Sequence, residues 1–183
     1  EALPDTPERK HRELEFQMVL SPQLLTTKGY GASEVERACS RALALSQQVE
    51  ETPELFTVLW PLVYTYFTRG DVETAHGLSE RLMKLAQCGD DETLLLQAHH
   101  ILGDVLFARG EFVSALEHYE EGIALYDPRE HVRMAFLYGG ENPGVSCYGH
   151  AGWCSALLGY PERALARARE CLRLGRDQPH PFT

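Results

Sequence analysis

Apolar residues recur along this chain at spacings of three and four, and no segment alternates apolar and polar positions for long. This periodicity puts the apolar side chains of each segment on one face of an α-helix. Gly, Pro and Asp residues separate the segments, and Ser21-Pro22 interrupts the first of them. The predicted fold class is therefore all-α, with helices at about 7–20, 33–49, 53–68, 71–85, 91–106, 112–126, 132–138, 145–158 and 161–173.

Local signals set several of the predicted helix starts. Ser33 and Glu36 have the spacing of a capping box, in which the two side chains satisfy free amides at a helix start. Asp71 and Asp91 stand where an N-cap carboxylate is favoured, and Thr52-Pro53 pairs a cap with proline at the first helical position. Pro61 falls inside a helix and predicts a kink.

One phrase occurs three times: an apolar cluster, a glycine, a short polar stretch, and alanine at the fifth position after the glycine. The three copies are Arg69–Ala75, Arg109–Ala115 and Leu158–Ala164. Self-similarity at a few tens of residues indicates stacked helical hairpins, each burying its apolar face against its neighbours. The third copy comes late because residues 128–144 are inserted, and these predict a short helix, a loop and a type II turn at Pro143-Gly144.

The middle copy carries most of a known repeat pattern, at Leu102-Gly103, Gly110, Ala115, Tyr119, Gly122 and Pro128. This pattern resembles the tetratricopeptide repeat (TPR). The resemblance implies a right-handed solenoid of helical hairpins forming one domain over 1–183. About four units are expected, at 8–48, 54–88, 92–127 and 144–175, of which the first is degenerate, with the extra helix and loop near 128–144.

Longer phrases are similar to a narrower group: the C-terminal repeat regions of large bacterial proteins that carry a nucleotide cyclase or an AAA-type ATPase module upstream. The phrases are Val58–Trp60, Gly122–Pro128, Ala135–Gly139, Asn142–Val145, Leu158–Pro161 and His180–Phe182. This resemblance implies a regulatory or sensory region attached to a signalling enzyme. None of that enzyme's catalytic motifs lies in these residues.

Charge narrows the classes of partner. The 183 residues carry 17 basic and 27 acidic side chains, a net charge of −10, which argues against nucleic acid and anionic lipid. The longest apolar stretch, 55–67, is too short to span a bilayer. Five scattered cysteines suit a reducing compartment, and a start at Glu1 without a leader suggests a piece of a longer cytoplasmic protein.

No arrangement of residues predicts an enzyme, a cofactor or a metal site. A phosphate-binding Walker loop is absent, and Cys147 and Cys154 are too far apart for a zinc knuckle, so core thiols are favoured. His99 and His100 are adjacent and point to different helix faces. A composite metal site that adds His118, His131 or His150 is conceivable, but structural histidines are favoured.

The concave face of the predicted solenoid is the main candidate for binding. In stacked hairpins the first helix of each unit lines this face, and the corresponding positions here are Thr57, Trp60, Tyr64, Phe67, Gln97, His100, Asp104, Phe107, Ser146, Gly149 and Trp153. Aromatic rings with a few polar groups suit a peptide or protein segment. Lys and Arg are missing from these positions, unlike repeats that clamp a terminal carboxylate.

Two alternatives stay open. The same groove, or the loop around Glu141 and Asn142, could enclose a small molecule that controls an attached enzyme. Trp60 and Trp153 could instead be packing residues between units. For the loop, a simple turn is favoured over a functional one.

Overall fold

A computed structural model describes residues 6–29, 31–46, 55–131 and 141–176 of the chain, and all regular structure in these residues is helical. The helices are α1 (Pro7–Lys28), α2 (Ser33–Ser46), α3 (Phe56–Thr68), α4 (Val72–Gln87), α5 (Glu92–Ala108), α6 (Phe112–Leu125), α7 (Pro143–Leu157) and α8 (Pro161–Arg176). The prediction of an all-α fold is confirmed.

The chain divides into two compact units. Unit 1 is Glu1–Gly89 and holds α1 to α4, and unit 2 is Asp90–Thr183 and holds α5 to α8. In unit 1, α1 packs on α2 and α3, α2 packs on α3, and α3 packs on α4. In unit 2, α5 packs on α6 and α7, α6 packs on α7, and α7 packs on α8. Each helix therefore contacts mainly its next neighbours in the chain, as in helical-hairpin repeats.

The three glycines of the repeated phrase are equivalent helix ends. Gly70, Gly110 and Gly159 have φ angles of 80°, 79° and 86°. At each one, the glycine amide donates to the carbonyl three residues back, and the next amide donates to the carbonyl five residues back. This is the helix-ending motif that requires a left-handed residue, and glycine adopts that conformation without a steric penalty. The repeated phrase therefore marks the corners of α3–α4, α5–α6 and α7–α8.

Small residues allow the paired helices to approach each other. Ala75 and Ala115 are fully buried, as expected at the fifth position after the corner glycine. The last pair differs, since Ala164 is only half-buried. There, a Cβ on Gly152 would lie 3.3 Å from the Ala164 carbonyl oxygen, so Gly152 provides the close approach of α7 to α8.

Salt bridges add links between helices within each unit. In unit 1, the Arg41 guanidinium donates two hydrogen bonds of 2.6 and 2.9 Å to the Glu13 carboxylate, joining α2 to α1. In unit 2, Glu120 of α6 accepts from both Arg163 and Arg167 of α8. A partly exposed salt bridge usually contributes little to the free energy of unfolding. Pairs with bidentate geometry, such as Arg41 with Glu13, contribute more than most.

Two predicted helix starts or breaks are wrong. Ser21-Pro22 does not interrupt the first helix, and α1 continues to Lys28. Buried Leu14 and Leu25 anchor both halves of α1, and the Ser21 hydroxyl donates to the Gln17 carbonyl at 2.7 Å. Pro22 has no backbone N–H to donate within the helix, and the packing of Leu14 and Leu25 outweighs this missing hydrogen bond.

The capping box predicted at Ser33 is also not formed. Ser33 is the first residue of α2 and not its N-cap, and its hydroxyl contacts Glu34 and Arg37. The Glu36 carboxylate accepts instead from Arg69, at the corner after α3. A tertiary ion pair has replaced the local cap.

Other local predictions are confirmed. The Asp71 carboxylate accepts from the Thr74 amide, and that of Asp91 accepts from the amides of Thr93 and Leu94. Helix α3 contains Pro61 in its interior, as predicted, and the kink expected there stays a prediction. The start predicted at Thr52-Pro53 and the short helix predicted at 132–138 lie outside the described residues.

The turn predicted at Pro143-Gly144 is wrong, because these residues form the first turn of α7. The Asn142 side-chain oxygen accepts from the amides of Gly144 and Val145, at 3.1 and 3.4 Å. Pro143 occupies the first helical position, where its missing N–H is no loss. Proline followed by glycine suits either a turn or a helix start, and the capping Asn142 decides for the helix.

Candidate functional site

In unit 1, the predicted groove residues of α3 form a row of aromatic rings. The Trp60 and Tyr64 ring centroids are 5.4 Å apart, and those of Tyr64 and Phe67 are 6.1 Å apart, both with edge-to-face geometry. Trp60 is only 4 % exposed, whereas Tyr64 and Phe67 are half-buried and Thr57 is exposed. The row is therefore packed into the unit at Trp60 and nears the surface toward the end of α3.

In unit 2, two predicted groove residues of α5, His100 and Asp104, meet side chains of α6 and α7 in one polar cluster. Asp104 of α5 lies at its centre, and the Tyr119 hydroxyl of α6 donates to its Oδ1 at 2.8 Å. His150 of α7 places Nδ1 2.9 Å from the same oxygen, and His100 places Nε2 3.6 Å from Oδ2. The two imidazole rings are stacked, with centroids 5.6 Å apart. We call His100, Asp104, Tyr119 and His150 the imidazole–carboxylate cluster.

Aromatic rings lie beside this cluster and extend to the surface. The Trp153 ring lies 4.9 Å from His150 and 6.3 Å from Phe107, measured between centroids. Phe107 packs in turn on Phe112. Trp153 is 59 % exposed although its inner neighbours are half-buried. We call Phe107, His150 and Trp153 the aromatic face of unit 2.

The charges in the cluster stabilise one another. Burial alone raises the pKa of Asp104, but His100, His150 and the Tyr119 hydroxyl outweigh it and hold the pKa at about 2. Burial lowers the pKa of His150, but the hydrogen bond and charge of Asp104 reverse this and raise it. Burial and the Asp104 carboxylate raise the pKa of Tyr119, so its hydroxyl stays a donor. The carboxylate is thus ionised and held in one orientation.

The remaining predicted groove positions serve local packing. Gln97 is 2 % exposed, and its side-chain oxygen has no hydrogen-bond partner among the described residues. The Ser146 hydroxyl donates to the Glu141 carboxylate, five residues back across the start of α7. Asn142 is fully buried, and its amide also donates to the His131 carbonyl at 3.1 Å. The loop candidates Glu141 and Asn142 therefore both contribute to the start of α7.

The groove positions predicted from the repeat spacing, called repeat offsets below, do not include two members of the cluster, Tyr119 and His150. The repeat pattern gives Tyr119 only a packing role, and the offsets select Gly149 in place of His150. A Cβ on Gly149 would lie 3.4 Å from the Cys171 sulfur, so Gly149 faces α8. A shift of one residue turns a helix position by about 100°. The available signal was the spacing of His150 to Ser146 and Trp153, four and three residues, which indicates a shared face.

The cysteines agree with the prediction of core thiols. Cys147 and Cys154 are fully buried, and both are free. Burial and the nearby Asp104 carboxylate raise the pKa of the Cys154 thiol to about 11 and that of Cys147 well above its ordinary value. Both side chains therefore stay protonated and behave as small apolar groups.

A second pair of histidines lies between α5 and α6. The Nδ1 atoms of His99 and His118 are 3.0 Å apart, so one neutral ring donates to the other. Burial and the charge of His118 lower the pKa of His99 from 6.5 to about 4. Burial also lowers the pKa of His118, although Glu117 and Glu121 oppose this shift. The folded state therefore favours the uncharged pair.

This pair predicts that unit 2 loses stability in mild acid. In the unfolded state both histidines bind protons near pH 6.5, whereas in the folded state the pKa of His99 is about 4 and that of His118 is lowered. Stability is therefore full above about pH 6.5 and falls below it. We expect a loss of about 1–2 kcal/mol between about pH 7 and about pH 5, after allowance for the exposed part of the rings. Urea unfolding followed by circular dichroism at several pH values measures it.

The matched variant for this test is His118→Gln, whose amide keeps the contact with His99 and does not titrate in this range. Its free energy of unfolding should fall less between the two pH values than that of the wild type. His150 has the opposite pKa shift and is unchanged in both proteins, so it cancels in the comparison. If the free energy of unfolding fell equally with pH in both proteins, the loss of stability in acid could not be assigned to the His99–His118 pair.

No helix in the described part of the chain is both long enough and apolar enough to cross a bilayer.

Comparison with known proteins identifies the repeat. Residues 96–121, which cover most of α5 and α6, match the tetratricopeptide repeat family model. A search of curated protein sequences found no significant match.

Solved structures share the fold over nearly the whole chain. One is a Podosopora anserina protein with nearly identical TPR-like repeats, described as a kinesin light chain. It is 13% identical with a TM-score of 0.52, and the alignment covers 94% of this chain and 97% of that one. Its Q17M variant gives 13% identity, a TM-score of 0.53 and the same coverage. The fold is thus all-α and TPR-like, and residues 96–121 match the sequence pattern of the repeat.

Proposed function

We propose that this region is a non-catalytic interaction module of a larger bacterial signalling protein, and that it binds a protein or peptide segment through the aromatic face of unit 2. TPR-like repeats generally serve as scaffolds for protein interaction. The resemblance of several phrases to repeat regions of cyclase and ATPase proteins supports the proposed signalling context. In unit 1, the row of Trp60, Tyr64 and Phe67 nears the surface only at Tyr64 and Phe67, and is the weaker candidate for binding.

The observation that carries this proposal is the exposure of Trp153. An indole that is 59 % exposed yet rests on Phe107 and His150 is held in place before any partner arrives. Such rigid aromatic side chains lose little conformational entropy on binding, and tryptophan is enriched among the residues that dominate interfaces.

Charge and chemistry indicate the kind of segment that fits. The chain carries a net charge of −10, and Asp104 lies beside the aromatic face. A segment with an apolar or aromatic anchor flanked by Lys or Arg would gain both ring contacts and charge attraction. An Arg side chain can also stack on the exposed indole.

To test this, peptides that bind the wild-type protein are selected from a random display library, and their affinity is measured by fluorescence anisotropy. We expect Trp153→Ala to weaken the selected peptides at least about tenfold, the size of an ordinary hot-spot loss. Leu172→Ala is the matched control, because Leu172 is similarly exposed (61 %) but lies on α8. Its affinity should equal that of the wild type.

Peptides that bind Trp153→Ala as well as the wild type would overturn the proposed surface. A thermal-shift screen against nucleotides and metabolites addresses the alternative of a small-molecule sensor. A compound that raises the melting temperature of the wild type but not of Trp153→Ala would assign the aromatic face to that function instead.

A further inference from the structure

The imidazole–carboxylate cluster contains three side chains that commonly bind metal ions. His100 and Asp104 are four residues apart on α5 and therefore share a face, and His150 approaches them from α7. One ligand atom from each of the three lies within 4.8 Å of the others. The two packed helices thus bring together two imidazoles and one carboxylate.

His100 lacks a hydrogen-bond partner among the described residues. Its side chain is 1 % exposed, and neither ring nitrogen is bonded to another side chain or to the backbone of those residues. Its Nε2 atom is 3.6 Å from Asp104 Oδ2, which is too long for a hydrogen bond. Buried polar atoms are almost always satisfied, so this ring calls for an additional group.

A metal ion fits the observed distances. Nitrogen and oxygen ligands lie about 2.0–2.2 Å from Zn²⁺, so two of them in tetrahedral geometry are about 3.3–3.5 Å apart. The separation between His100 Nε2 and Asp104 Oδ2 is close to this value. His150 Nδ1 lies 2.9 Å from Asp104 Oδ1, and the ligand atoms of all three residues lie within 4.8 Å of one another, so an adjustment of the His150 ring brings it to the same ion.

The surroundings of the cluster also suit a bound ion. The Tyr119 hydroxyl holds Asp104 Oδ1, which leaves Oδ2 directed at His100. Metal-binding carboxylates are usually oriented by such hydrogen bonds. The side chains of Asp104 and His150 are 11 % and 21 % exposed, so an ion has a route from solvent.

We propose that His100, Asp104 and His150 bind one divalent transition-metal ion, with Zn²⁺ the best fit. Two imidazoles and a carboxylate favour Zn²⁺, Co²⁺ or Ni²⁺ over Mg²⁺ and Ca²⁺, which prefer oxygen ligands. Three protein ligands leave a fourth position for water or for a side chain of a bound partner. The ion would also join α5 to α7 and so stabilise unit 2.

The test uses the full chain, stripped of metal with a chelator and then titrated with Zn²⁺ and, separately, Co²⁺. We expect single-ion binding by calorimetry, a higher melting temperature with Zn²⁺, and the intense visible absorption of tetrahedral Co²⁺. His150→Gln should weaken binding at least about a hundredfold. Because His150 is partly exposed, this variant is expected to fold, which circular dichroism checks.

Three further variants locate the ion within unit 2. His118→Gln removes one member of the other histidine pair and should bind metal as the wild type does. Trp153→Ala should also keep the metal, because the indole offers no ligand, so failure of the peptide surface and failure of the metal site are distinguishable. Asp104→Asn, close in shape to the original side chain, should weaken Zn²⁺ binding.

Three results would overturn the proposal. The first is the absence of saturable Zn²⁺ binding by the wild type in the calorimetric titration. The second is unchanged affinity in His150→Gln. The third is loss of binding in His118→Gln but not in His150→Gln, which would assign the ion to the His99–His118 pair.

Discussion

Gly103→Ala is expected to destabilise unit 2 by about 2–3 kcal/mol, because a methyl group there would overlap the Tyr119 ring. A Cβ built on Gly103 lies 2.5 Å from Tyr119 Cε1, 2.8 Å from Cδ1 and 2.9 Å from Cζ. The ring cannot easily move away, since Tyr119 is 1 % exposed and its hydroxyl is bonded to Asp104. The substitution must therefore separate α5 from α6 or break that hydrogen bond.

The measurement is urea unfolding followed by circular dichroism, with hydrogen exchange to assign the change to unit 2. Gly77→Ala is the control, because Gly77 also lies inside a helix but has nothing within 4 Å of an added Cβ. This variant should gain about 0.5–1 kcal/mol from the better helix propensity of alanine. A neutral Gly103→Ala would show that the ring does not lie over Gly103.

Asn142→Ala is expected to lower the free energy of unfolding by about 2–3 kcal/mol. It removes the cap that accepts two amides at the start of α7, worth about 1 kcal/mol. It also leaves the buried His131 carbonyl without its donor, which costs about 1–2 kcal/mol more. Both effects act on the same helix start, so the whole of α7 should become less protected.

The same unfolding and exchange measurements check this, with Glu141→Ala as the control. Glu141 is only half-buried and water can replace its hydrogen bond with Ser146, so its loss should change stability by no more than about 1 kcal/mol. If Asn142 were instead a binding residue of a flexible loop, Asn142→Ala would leave stability unchanged and alter ligand affinity alone. Thermal stability and peptide affinity of the one variant therefore discriminate the two roles.

Most of the helices could be predicted because their signals are local. Asp71 and Asp91 cap helices through their own backbone amides, and Gly110 ends α5 through its left-handed conformation. The predictions that failed depended on distant contacts. Glu36 leaves its expected capping partner for Arg69, 33 residues away, and α1 passes Ser21 because both of its halves are anchored in the core.

The candidate site was predictable only in part. Repeat offsets selected His100, Asp104, Phe107 and Trp153, which do lie together with His150 and Tyr119 in unit 2. The offsets did not predict how deeply each side chain is buried. Gln97 and His100 are almost fully buried, whereas Trp153 is largely exposed. The same offsets chose Gly149 instead of His150, and this difference of one position turns the side chain by about 100° around the helix.

The sequence by itself determined that the chain is helical, where most helices end, and that glycine corners join them in pairs, because periodicity, caps and left-handed glycines act within a few residues. Tertiary structure alone decided which polar groups meet. His100 and His150 are 50 positions apart, and they stack only because α5 packs on α7. Their contacts with Asp104 depend on that packing, and no local signal encodes its geometry.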